Sequence, residues 1–138
     1  MSTYAHDTVT VWAVMAPSEG DLIRAVSFEY PQDDEEARSA FSTAYRTGWY
    51  DDDFAFHLCG DGLCALLADC SVSLLTLDQQ ATPHLPAGLD WNALYVIAGG
   101  AGEVWQREEN RPPMPHGVVR VAETTFKLIG TFPVVAKS

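Results

Sequence analysis

Positive charge is scarce in this chain. Eight lysines and arginines face 19 aspartates and glutamates over 138 residues, a formal net charge of −11. Such a surface repels phosphate backbones and anionic headgroups, so neither nucleic acid nor a membrane surface is an expected partner. Long hydrophobic runs are missing too: Asp69, Gly99 and Gly102 interrupt the apolar stretches, and no membrane span is expected. Residues Met1 to Asp7 are polar and lack the apolar run of a signal peptide. Cysteine is sparse and odd in number. Cys59, Cys64 and Cys70 have no framework spacing, which points to reduced thiols, a cytoplasmic setting, and a fold that forms without disulfide or metal.

Catalytic signatures are equally thin. Gly99-Gly100-Ala101-Gly102 lacks the following Gly-Lys-Ser/Thr of a phosphate loop, and no dinucleotide fingerprint surrounds it. His6, His84 and His116 fall in expected loops or termini, without a nucleophile motif such as G-x-S-x-G nearby. In so acidic a chain, carboxylates such as Asp51 and Asp53 come close together by chance, which gives them no catalytic meaning. No enzyme activity and no cofactor are expected.

What is present is enough apolar residue for one globular core, 47% of the chain, and no linker or repeat that would divide residues 1–138. Thr8 to Val14 alternates with β-branched residues and predicts a first strand. Ser18 with Asp21 three residues on predicts a capped helix, with Leu22, Ile23, Val26 and Tyr30 on one face and Pro31 as its stop. The acidic run Asp33-Asp34-Glu35-Glu36 suits the positive end of a second helix, whose apolar face is Ala37, Ala40, Phe41, Ala44 and Tyr45. Phe54, Phe56 and Leu58 then recur with period two, a half-buried strand. After the turn Gly60-Asp61-Gly62, the apolar stretch Leu63 to Leu77 is ambiguous: Leu63, Leu66, Leu67 and Cys70 suit a helix and Val72, Leu74 and Thr76 a following strand; Ala81 to Gly88 reads as loop. Asn92 to Ala98, Val118 to Val121 and Phe126 to Phe132 complete the expected strands, with Glu103 to Gln106 as a short one and the proline-rich Asn110 to Pro115 as loop. Trp12, Trp91 and Trp105 sit in or beside these strands and are expected in the core. The pattern implies an α+β fold: a mostly antiparallel sheet with helices packed on one face, in a single domain.

Gly48 to Phe56 concentrates the chemistry. Trp49 and Tyr50 precede three consecutive carboxylates, Asp51, Asp52 and Asp53, which cannot all be buried cheaply and should be exposed beside the rings. Trp49 admits two readings, a cap on the core or an interface anchor projecting with Tyr50. The expected partner-binding set is therefore Asp33, Asp34, Glu35, Glu36, Trp49, Tyr50, Asp51, Asp52 and Asp53, and the charge favours a basic partner. About thirteen residues of helix at about 1.5 Å each would separate the two clusters by roughly 20 Å, within one ordinary interface. An alternative metal-binding reading uses His57, Cys59, Cys64 and Cys70. His57 and Cys59 would share a strand face, but the H-x-C-x4-C-x5-C spacing lacks the paired knuckles of a zinc site.

Several pieces, in order, resemble the immunity protein 22 family of bacterial polymorphic-toxin systems. They are Val9-Thr10-Val11-Trp12, Glu29-Tyr30 with its acidic run, Ser39-Ala40-Phe41, Trp49-Tyr50-Asp51-Asp52-Asp53-Phe54, Asn92 to Ile97, and Leu128-Ile129-Gly130-Thr131-Phe132. The tryptophan-tyrosine-aspartate element is the most specific of these, and Cys59 to Gly88 adds nothing. The resemblance implies a cytoplasmic antidote that binds a cognate toxin domain. Such toxins are frequently nucleases with basic clefts, which an acidic surface would occlude. An acidic interaction module without a toxin partner is the remaining alternative.

Overall fold

The computed structural model describes residues 8–29, 39–45, 55–74, 77–87, 90–98 and 117–133. Strand β1 (Thr8–Met15) leads into helix α1 (Glu19–Val26) and then helix α2 (Ala40–Tyr45). Strand β2 (Ala55–Cys59), helices α3 (Leu63–Leu74) and α4 (Leu77–Ala81), and strands β3 (Ala93–Ala98), β4 (Val118–Val121) and β5 (Thr124–Pro133) follow. The strands form one sheet in the order β2-β3-β1-β5-β4, and every pairing is antiparallel. The expected α+β class with an antiparallel sheet is what the chain adopts.

The helices, however, lie on both faces of the sheet, and this corrects the one-face expectation. Trp12, Val14, Tyr95, Ile97 and Phe126 pack beneath Leu22 and Ala25 of α1 and Phe41 and Tyr45 of α2. Val9, Val11, Ala13, Leu94 and Val96 pack on the opposite side against Leu63, Leu66 and Leu67 of α3 and Leu77 and Ala81 of α4. The cause is visible in β1 and β3: neighbouring residues point to opposite faces, and both sets are apolar. A strand with no polar face needs cover on each side.

A bulge sets the relation between the layers. Val11 pairs with Gly130 but Trp12 pairs with Leu128, so Ile129 is the extra residue on β5. The slip lets Phe132 join the α3–α4 layer and Phe126 the α1–α2 layer, although both positions are even-numbered. Gly130 has φ of 155°, and a Cβ there would stand 3.0 Å from Phe132 Cζ. Only glycine fits that spot without moving the ring.

Helix ends differ from the expectation in three places. Ser18 caps α1 as expected, its Oγ accepting from the Asp21 backbone N–H and donating to the Asp21 carboxylate. The helix stops at Val26 rather than near Pro31, with Ser27 extended and its hydroxyl donating to the Ile23 carbonyl. Ile23 is exposed instead of lining the apolar face. Helix α2 begins at Ala40, capped by Ser39, whose Oγ accepts from Ser42 N–H while Ser42 Oγ accepts from Ser39 N–H. The acidic run therefore precedes the cap and contributes no residue to the first helical turn. In the third place, the ambiguous stretch after Gly62 is helix as far as Leu74, through Val72 and Leu74, which suited a following strand. Its first turns carry a helical apolar stripe, Leu63, Leu66 and Leu67, and a helix once nucleated there extends through Val72 despite the β preference of valine.

Tyr45 supplies a pH-dependent test of the core. The residue is fully buried, and its hydroxyl has no hydrogen-bond partner among the described residues. Burial raises its pKa far above the ordinary tyrosine value. A raised folded-state pKa leaves the protein's stability intact below the unfolded tyrosine pKa of about 10 and erodes it as pH rises beyond that. Tyr45→Phe is expected to be neutral or stabilising by about 1 kcal/mol at pH 7, because it removes an unpaired buried hydroxyl. It should also flatten the fall in urea-denaturation stability above pH 10, and an unchanged alkaline slope would show that Tyr45 does not titrate with unfolding.

Candidate functional site

The structure draws two groups of functional side chains together at the β2 end of the sheet. Asn92 organises this corner. Its side chain accepts from Ala16 N–H at 3.0 Å and donates to the Ala16 carbonyl at 2.8 Å. Its backbone N–H donates to the Val14 carbonyl and its carbonyl accepts from Gly60 N–H. The end of β1, the start of β3 and the end of β2 are thereby locked to each other.

The first group joins α1 to β2. Glu19 is the first residue of α1, placed by the Ser18 cap, and its carboxylate reaches His57 and Cys59 on the strand. His57 Nε2 lies 3.1 Å from Glu19 Oε2, and the Cys59 thiol donates to the same oxygen at 3.9 Å. Burial raises the Cys59 pKa, and the Glu19 charge and its hydrogen bond push it the same way. The thiol is therefore held protonated, the opposite of an activated nucleophile. That chemistry suits no covalent catalysis, but a thiol, an imidazole and a carboxylate are all metal donors.

His57 and Cys59 share a strand face, as their spacing predicts, while Cys64 of the four-residue set does not join them. Cys64 sits exposed on α3, in the opposite layer, and Cys70 belongs to the same helix. Cys59 and Cys64 are both free thiols. Glu19 was missed in the sequence because it lies 38 residues before His57, in a different element, with no short-range spacing to betray it.

The second group is an acidic notch below the turn after β2. Asp61, Cys64, Leu85, Pro86, Asp90 and Trp91 line a hollow of about 410 Å³, and both carboxylates are exposed. It holds two negative charges beside an indole, the surroundings that favour a lysine or arginine side chain. A larger groove of about 630 Å³ lies between α1, α2 and the β4–β5 hairpin. Its arginines are engaged locally, Arg24 with Asp21 at 3.0 Å and Arg120 with Glu123 at 3.1 Å. That groove has little pull on an anion.

The residues expected to bind a partner, Asp33, Asp34, Glu35, Glu36, Trp49, Tyr50, Asp51, Asp52 and Asp53, all lie outside the described residues. So do Phe54, Trp105, His6 and His116, and the segments Glu103 to Gln106 and Asn110 to Pro115. Trp12 and Trp91 are in the core as expected, and His84 is exposed in a 3-10 turn, Thr82–His84, within the expected loop. Among the described residues no helix is long and apolar enough to cross a membrane. In comparisons with known proteins, no family pattern, no curated protein and no solved structure matches this chain.

Proposed function

We propose that this protein is a cytoplasmic immunity protein that binds a cognate toxin domain and occludes its active site with an acidic surface. The observation that carries the reading is the charge: 19 acidic against eight basic side chains on one small domain. Both faces of the central strands are covered by helices, so a partner meets the periphery, where Glu19, Asp61, Asp90 and Glu123 are exposed. A basic cleft, such as a nuclease uses to hold phosphates, is the complementary surface. The notch of Asp61, Asp90 and Trp91 offers one basic side chain a seat on that periphery. The resemblance to the immunity protein 22 family supports the same reading. Its pieces Val9 to Trp12, Asn92 to Ile97 and Leu128 to Phe132 fall on β1, β3 and β5, three adjacent strands, and its Phe41 packs on Trp12.

The test is co-expression with the variable C-terminal domain of a large secreted protein encoded beside this gene. The reading requires that the chain rescue growth and co-elute with the toxin domain on size exclusion. Absence of both rescue and complex formation would leave an acidic interaction module without a toxin partner.

A further inference from the structure

The Glu19, His57 and Cys59 donor atoms all lie within 4.8 Å of one another. A tetrahedral zinc ion, with bonds of about 2.0 Å to nitrogen and oxygen and about 2.3 Å to sulfur, holds its donors about 3.3–3.6 Å apart. The His57–Glu19 edge at 3.1 Å is already near that length and the Cys59–Glu19 edge at 3.9 Å needs a small contraction, while the His57–Cys59 edge, within 4.8 Å, has the furthest to close, about 1 Å. Glu19, 62% of whose side chain is exposed, can shorten its edge to Cys59, and rotation of the His57 and Cys59 side chains on their shared strand face shortens the third. We propose that Glu19, His57 and Cys59 form a surface site for a zinc-class divalent cation, with a fourth position left to solvent.

The donor set decides the class of ion. A thiolate and an imidazole favour zinc or cobalt over magnesium and calcium, which demand oxygen. Three protein ligands with one open position is a common zinc arrangement. The site differs from the four-residue set that spacing alone offered: Glu19 enters, and Cys64, on a helix of the opposite layer, takes no part. Its ligands come from α1 and β2, separated by 38 and 40 residues, so a bound ion closes a long loop. It also ties down a terminal strand, since β2 pairs with β3 alone among the described strands. The two hydrophobic layers hold the fold without the ion, which adds stability rather than creating structure.

Without metal the same three groups make a hydrogen-bonded His–Glu pair with a thiol beside it, and cobalt titration separates the two states. Chelator-treated protein in a non-thiol reductant should take up a single equivalent of Co²⁺ with a near-ultraviolet thiolate charge-transfer band. Zn²⁺ should displace it and excess Mg²⁺ should not. Cys59→Ser should abolish the band and Cys64→Ser should leave it unchanged. His57→Gln and Glu19→Gln should each weaken binding by roughly tenfold or more. Zn²⁺ should raise the thermal midpoint of the wild-type chain and not that of Glu19→Gln. The proposal is overturned if wild-type protein gives no band, if the band survives Cys59→Ser, or if affinity ignores both His57→Gln and Glu19→Gln. Circular dichroism of each variant confirms that a lost band is not a lost fold.

Discussion

Phe41→Ala is expected to lower the free energy of unfolding by about 3–5 kcal/mol, the range for deleting a fully buried aromatic ring. Phe41 is completely shielded from solvent. Its ring centroid lies 4.9 Å from that of Trp12 and 5.0 Å from those of Tyr45, Tyr95 and Phe126. These neighbours come from β1, α2, β3 and β5, so one deletion opens a cavity that no single element can close. Each aromatic pair also adds about 0.5–1.5 kcal/mol beyond area burial. Urea denaturation monitored by tryptophan fluorescence measures the loss. A value below about 1 kcal/mol, typical of surface changes, would mean that α2 does not pack on the sheet.

The double charge reversal Asp51→Lys with Asp53→Lys should give the largest functional effect. It changes the net charge by four, from −11 to −7, at the centre of the expected binding set. Association with the proposed toxin domain should slow, most severely at low salt where steering is strongest, with the thermal midpoint little changed. Trp49→Ala should instead act on dissociation if the ring is a desolvated anchor. Stopped-flow association across a salt series reads both. An unchanged association rate would move the interface away from this cluster. Among the described residues both faces of the central strands are covered, so the notch of Asp61, Asp90 and Trp91 beside the Leu85–Pro86 loop would be the next place to reverse charge.

Elements whose signals are local were legible in the sequence. The alternation of Thr8 to Val14 and the continuous apolar run Ala93 to Ile97 both became strands, and the Ser18–Asp21 pair marked a helix start. The start of α2 was misplaced because Ser39 and Ser42 satisfy each other's backbone N–H groups, a stronger local signal than four carboxylates near a helix dipole. Two ligands of the proposed metal site were legible as i and i+2 on a strand, while the third required the path of the chain between α1 and β2.

By itself the sequence determined the acidic balance, the antiparallel α+β class and most strand positions, because charge adds up residue by residue and periodicity is a property of neighbours. Tertiary structure decided which layer each helix joined, where the bulge at Ile129 turned β5, and that Glu19 met His57 and Cys59. Those outcomes depend on pairings between residues far apart in the chain. Alternation alone cannot say which helix covers which face of a strand that is apolar on both sides.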